Sequence, residues 1–127
     1  MDSFKKAENI EQIAIFGSAH ASQDGELVKE VMEVSKKLAE AGYIIVDGGG
    51  PGVMRAATIG AKSVGGKVIG VTFKADKIMH YEGRDPLNNF DIEIETKNFV
   101  ERTLTLMREG QVYVIFNGGT GTISEFG

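Results

Sequence analysis

The sequence predicts an α/β fold built around a mainly parallel sheet. Two observations carry that prediction. Short apolar runs alternate along the chain with stretches whose apolar residues recur at helical spacing. Two of the runs also lead straight into glycine clusters, Gly48-Gly49-Gly50-Pro51-Gly52 and Gly118-Gly119-Thr120-Gly121. Strand ends are where α/β folds keep their ligand loops.

Ile13-Ala14-Ile15-Phe16 reads as a buried strand, ended by Gly17-Ser18. A polar loop follows, in which Asp24 is a candidate N-cap. Leu27, Val31, Val34, Leu38 and Ala41 then form an apolar helix face, with Gly42 where a C-terminal cap glycine belongs. Residues 43–46 are the second strand. Pro51 suits a first helical turn, and Val53, Met54, Ala57, Ala61 and Val64 give the next helix its apolar face. Residues 67–72 are the third strand. The β-α-β-α-β pattern closes within about 60 residues, and right-handed crossovers make such strands parallel.

Residues 73–89 are polar and contain Gly83 and Pro86, so an irregular segment is expected. Residues 90–94 alternate as a fourth strand. Asn98 and Glu101 have capping-box spacing and open a helix through Met107. Val100, Leu104 and Met107 form the apolar face of that helix, and Arg102 points elsewhere. Residues 111–116 form the final strand, which feeds the second glycine loop. A strand–loop–helix unit needs a helix beyond Gly127, so the sequence is expected to lack a C-terminal part of the functional protein. One domain is expected over residues 1–127.

Bulk properties narrow the function. The 127 residues are 42% hydrophobic, enough for one real core. A net charge of −4 argues against a nucleic-acid or membrane-surface binder, which needs a basic face. It leaves room for a small anionic ligand, because backbone N–H groups bind phosphate without a basic surface. The absence of cysteine excludes disulfides, thiolate metal sites and a cysteine nucleophile. His20 and His80 have no second ligand at a useful spacing, so no metal is expected. No cofactor is expected either. The polar N-terminus lacks a signal-peptide core, and no apolar run is long enough to span a bilayer, so a cytoplasmic protein is expected.

The glycine clusters carry the candidate chemistry. A phosphate needs several N–H groups converging on one point, and Gly118, Gly119, Thr120, Gly121 and Thr122 can supply them. The plainer reading of these residues is a tight strand-to-helix turn. Gly48, Gly49, Gly50, Gly52 and Met54 form a second loop, and Gly17 and Ser18 a third. In a parallel sheet all three lie on one edge. The plainer reading here is glycine for close helix–strand packing. Neither cluster is a P-loop or a dinucleotide fingerprint, so NTP hydrolysis and hydride transfer lose support. Glu125 ends a Thr122-x-x-Glu125 capping box, yet it also stands beside the phosphate loop.

Taken together, these segments resemble the Lonely Guy (LOG) family, whose members are also called lysine decarboxylases. The resemblance runs from Ile13 to the end of the chain. Residues 47–54 and 65–71 resemble the family's G-G-G-x-x-G-x-M and G-G-x-V-I-G-V segments, and residues 117–125 its P-G-G-x-G-T-x-x-E signature. The resemblance implies a Rossmann-like fold, doubly wound in three α/β/α layers, and a homodimer. It implies a nucleotide phosphoribohydrolase, in which water cleaves the bond between a purine-type base and ribose 5′-monophosphate. The substrate would be AMP or a cytokinin riboside monophosphate. The family's catalytic Glu and Arg correspond to Glu125 and Arg102. Asn117 replaces the signature proline, and Val100 and Thr103 replace the His and Lys beside the Arg. Proteins with related glycine motifs include a molybdenum-cofactor carrier that binds its ligand without cleaving a nucleotide. The alternative expectation is therefore a non-catalytic carrier of a phosphorylated cofactor. A true lysine decarboxylase would need pyridoxal phosphate on a lysine, and no lysine here has a recognisable site around it.

Overall fold

The computed structural model describes residues 6–18, 25–73 and 89–116. Within them the chain runs β1 (Gln12–Phe16), α1 (Glu26–Glu40), β2 (Ile44–Asp47), α2 (Val53–Lys62), β3 (Val68–Phe73), β4 (Ile92–Thr96), α3 (Phe99–Glu109) and β5 (Val112–Ile115). The strands form one sheet in the order β4-β3-β2-β1-β5, and every neighbouring pair is parallel. The α/β class and the doubly wound arrangement expected from the sequence are both present.

Strands β1, β2 and β3 alternate their side chains between two apolar layers, as pleated strands do. Ile13, Ile15, Ile45 and Val68 meet α1 and α2, through Val28, Val31, Leu38, Val53, Ala57 and Ala61. Ala14, Val46, Ile69 and Val71 face the opposite way and meet Leu106 of α3. These three strands are therefore covered on both sides. This is why β2 and β3 read as continuous apolar runs.

Local chemistry sets the helix ends. Gly42 takes φ +105°, and the Gly42 and Tyr43 amides donate to the Ala39 and Leu38 carbonyls, a Schellman closure of α1. Gly65 at φ +75° closes α2 the same way, with Gly65 donating to Lys62 and Gly66 to Ala61. Helices α1 and α2 cross closely at Gly60, where an added Cβ would lie 2.3 Å from the Met32 carbonyl oxygen. The Ser35 hydroxyl donates to the Ala57 carbonyl at 2.6 Å across that crossing. At α3, the Asn98 side chain accepts from the Glu101 amide at 2.8 Å. Glu101 reaches back one residue further than a standard capping box, to the Lys97 amide at 2.6 Å.

Several expectations need correction. The apolar residues Val100, Leu104 and Met107 of α3 are exposed, at 65%, 60% and 41%. The face that α3 buries is Arg102, Thr105 and Leu106. Spacing alone identified an apolar stripe but not which side met the sheet. Pro51 precedes α2, whose N-cap is Gly52 at φ +73°, ψ −127°. Val64 falls beyond α2 rather than on its face. Phe73 is a buried end residue of β3, not the start of an irregular segment. The N-cap of α1 is Gly25; Asp24 lies outside the described residues.

Candidate functional site

Because β1, β2 and β5 are parallel neighbours, their C-terminal ends share one edge. The winding also reverses here. From β1 the chain steps through β2, β3 and β4 on one side, then returns to place β5 on the other side of β1. A crevice at such a reversal is where open α/β sheets bind ligands. Gly17 and Ser18 leave β1 at this edge, and Gly48, Gly49 and Gly50 leave β2. Phe116 follows β5, with its amide donating to the Phe16 carbonyl at 2.9 Å. Residues Gly118, Gly119, Thr120, Gly121, Thr122 and Glu125 lie outside the described residues.

The first two loops are joined. The Val53 amide, first in α2, donates to the Ser18 carbonyl at 3.0 Å. Gly17 has to be glycine for packing: an added Cβ would lie 2.4 Å from Val53 Cγ1.

The β2 turn is held from both faces of the sheet. On the α2 face, Asp47 is fully buried. Its Oδ1 accepts the Gly49 amide at 2.8 Å, and its Oδ2 accepts the Thr58 hydroxyl at 2.6 Å. Burial pushes the Asp47 carboxyl up from 3.8 to about 7, against the opposing pull of Thr58, the Gly49 amide and the Arg102 charge. On the α3 face, Arg102 Nη1 donates to the Gly48 carbonyl at 3.2 Å and lies 3.5 Å from Met54 Sδ. Its guanidinium sits 4.8 Å from the Phe99 ring centroid and 5.5 Å from that of Phe73. Those two rings meet edge to face at 5.8 Å.

This arrangement places several candidate residues inside the fold. Arg102 is 5% exposed, not a residue pointing away from the packed face. Only α3 could bring it to β2, and it does so because α3 buries the face opposite to the expected one. Met54 is likewise buried, at 5%, and packs under Arg102. The missing side chain of Gly48 makes room for Arg102, since an added Cβ would lie 2.0 Å from Nη1. Gly49 takes φ +74°, and its Cβ would meet Thr72 Cγ2 at 2.7 Å and the Phe90 ring at 3.0 Å. Glycine at 48 and 49 thus serves internal packing, and the Gly49 amide points inward to Asp47. Sequence reasoning passed over Asp47, Thr58 and the Phe73–Phe99 pair. A carboxylate at the end of a wholly apolar strand was the available signal, because burial there demands a polar partner.

Among the described residues, no group of three or more His, Asp or Glu side chains is placed to hold a metal. No described helix is long and apolar enough to cross a membrane.

Similar proteins place this architecture. An uncharacterized protein of Archaeoglobus fulgidus is 32% identical over 115 residues, spanning 90% of this chain and 70% of the relative. The solved molybdenum cofactor carrier protein of Chlamydomonas reinhardtii superposes with a TM-score of 0.69 at 28% identity, over 92% of this chain and 68% of that one. The molybdenum cofactor binding protein of Rippkaea orientalis shares the fold, with a TM-score of 0.70 at 24% identity over 98% and 70%. The model of the SLOG cluster4 family matches residues 10–127, nearly the whole chain, and the protein belongs to that family.

Proposed function

We propose that this protein binds a phosphorylated small molecule, of nucleotide or molybdenum-cofactor type, at the strand-end edge and holds it without cleaving it. The observation that carries this reading is the position of Arg102. Its guanidinium is buried against Gly48, Met54, Phe73 and Phe99. The guanidinium donates to the protein's own backbone and so stiffens the loop. A stiff loop suits a carrier, because preorganisation lowers the cost of ordering on binding. The similarity to the Chlamydomonas carrier protein supports the same reading.

A second reading is nucleotide phosphoribohydrolysis. It is supported by residues 117–125, which resemble the signature of the Lonely Guy enzymes and end in Glu125. Cleavage of the N-glycosidic bond builds positive charge on the ribose, and a carboxylate such as Glu125 could stabilise it and orient water.

One experiment separates the two. The protein is incubated with AMP, and separately with molybdenum cofactor, while bound ligand and released ribose 5-phosphate are measured. Retention without release supports the carrier. Release of ribose 5-phosphate that is abolished by Glu125→Gln overturns it in favour of the hydrolase.

A further inference from the structure

The β2 turn is gripped by two charged side chains that approach from opposite faces of the sheet. We propose that Asp47 and Arg102 are a positioning pair that fixes the shape of the Gly48–Gly49 turn from within, so that both act on a ligand at this edge only through the turn. This rests on the reading that the edge binds a phosphorylated ligand.

The geometry assigns each residue one half of the task. Arg102 Nη1 takes the Gly48 carbonyl, and Asp47 Oδ1 takes the amide of the next residue. The two groups belong to one trans peptide, whose C=O and N–H point in opposite directions, so the two bonds together fix the plane of the Gly48–Gly49 peptide. Both side chains are themselves held. Thr58 fixes the second oxygen of Asp47, and the Phe73 and Phe99 rings flank the Arg102 guanidinium. Asp47 is 0% exposed and Arg102 5% exposed. A ligand outside the turn meets backbone, while the charges stay beneath it. Among the described residues, the charged group that bears on Asp47 is Arg102, reaching it from α3; α2 contributes the neutral Thr58, and β3 places Gly70 at its register. The Arg102 charge favours the ionised form of Asp47, so removing either side chain alters the setting of the other.

The first test needs no ligand. The Gly49 amide resonance is followed by ¹⁵N NMR from pH 5 to pH 9. It is expected to titrate with a midpoint near 7, the value to which burial raises Asp47. In Arg102→Gln the midpoint moves upward, because a favourable charge is lost, and Arg102→Lys restores it in part. A Gly49 amide that stays flat in the wild type, or an Asp47 midpoint indifferent to Arg102→Gln, overturns the pair.

The second test measures AMP affinity at pH 8. Asp47→Asn and Arg102→Gln are each expected to weaken binding by about tenfold, and the double variant to be no worse than the weaker single one. Strictly additive losses would overturn the proposal, because they mean that the two residues act separately. If the wild type binds neither AMP nor molybdenum cofactor while the Gly49 amide still titrates, the ligand reading fails and the pair stands.

Discussion

Arg102 Nη1 donates to the Gly48 carbonyl at 3.2 Å, and the same nitrogen occupies the space that a side chain at Gly48 would need. The guanidinium thus both bonds to the turn and requires glycine in it.

Gly48→Ala is therefore expected to overpack the site. The new Cβ would lie 2.0 Å from Nη1 and 2.8 Å from Met54 Sδ. Overpacking of this kind costs about 1–3 kcal/mol. Combining it with Arg102→Ala should cost clearly less than the sum of the two single changes, because the clash disappears with the guanidinium. Urea denaturation of the four proteins checks this.

Stability should depend on pH through Asp47. Its pKa is raised on folding, from 3.8 to about 7, so the folded state holds a proton that the unfolded state has released. The associated stability is fully present below pH 4 and is lost as pH rises through 7. The change amounts to on the order of 4 kcal/mol across the whole window. Denaturation at pH 5 and pH 8 should show the wild type weaker at the higher pH, and Asp47→Asn should lack most of that slope.

Thr58→Val removes the hydroxyl that Asp47 Oδ2 accepts. The ionised carboxylate loses a donor, so the Asp47 titration is expected to move to still higher pH. Following the Gly49 amide by NMR would show it; an unchanged midpoint would count against the assigned hydrogen bond.

The reversed orientation of α3 has its own test. Leu106→Ala is expected to cost about 2–5 kcal/mol, as truncation of a buried leucine does. Leu104→Ser, at a residue 60% exposed, should stay within about 0.5 kcal/mol of the wild type. Similar losses at both positions in denaturant titrations would contradict the placement of the helix.

The ease of reading this fold in the sequence follows from its physics. Strands β1 and β2 are buried on both faces, so Ile13–Phe16 and residues 43–46 stood out as apolar runs. Gly42 announced its own φ of +105°. Asn98 and Glu101 announced a cap that the structure contains. Helix α3 misled because Leu106 and Thr105 share its buried face with an arginine, while the more apolar stripe lies exposed. No periodicity rule places a charged residue inward. Only the contact with Gly48, 54 residues away, reveals why Arg102 is there. Asp47 was obscured for the same reason: its partners, Thr58 and Arg102, are remote in sequence. Glycine at 48 and 49 is required by internal packing, and the part these residues play toward a ligand belongs to the proposal. The second glycine loop and Glu125 lie outside the described residues, so their part in the site belongs to the proposal.

The place of β1 in the sheet sets a timetable for folding. It pairs with β2 on one side and with β5 on the other. The Gln111 side chain accepts the Glu11 and Gln12 amides at 2.7 and 3.0 Å, across 100 and 99 residues of chain. As the polypeptide leaves the ribosome, β1, β2 and β3 can associate early under α1 and α2. The other flank of β1 must wait until residues 112–115 have been made. During that interval an apolar strand keeps an open edge of unpaired backbone groups, the kind of surface that recruits stray strands. Newly made copies stalled before β5 should therefore be the form of this protein most dependent on chaperones.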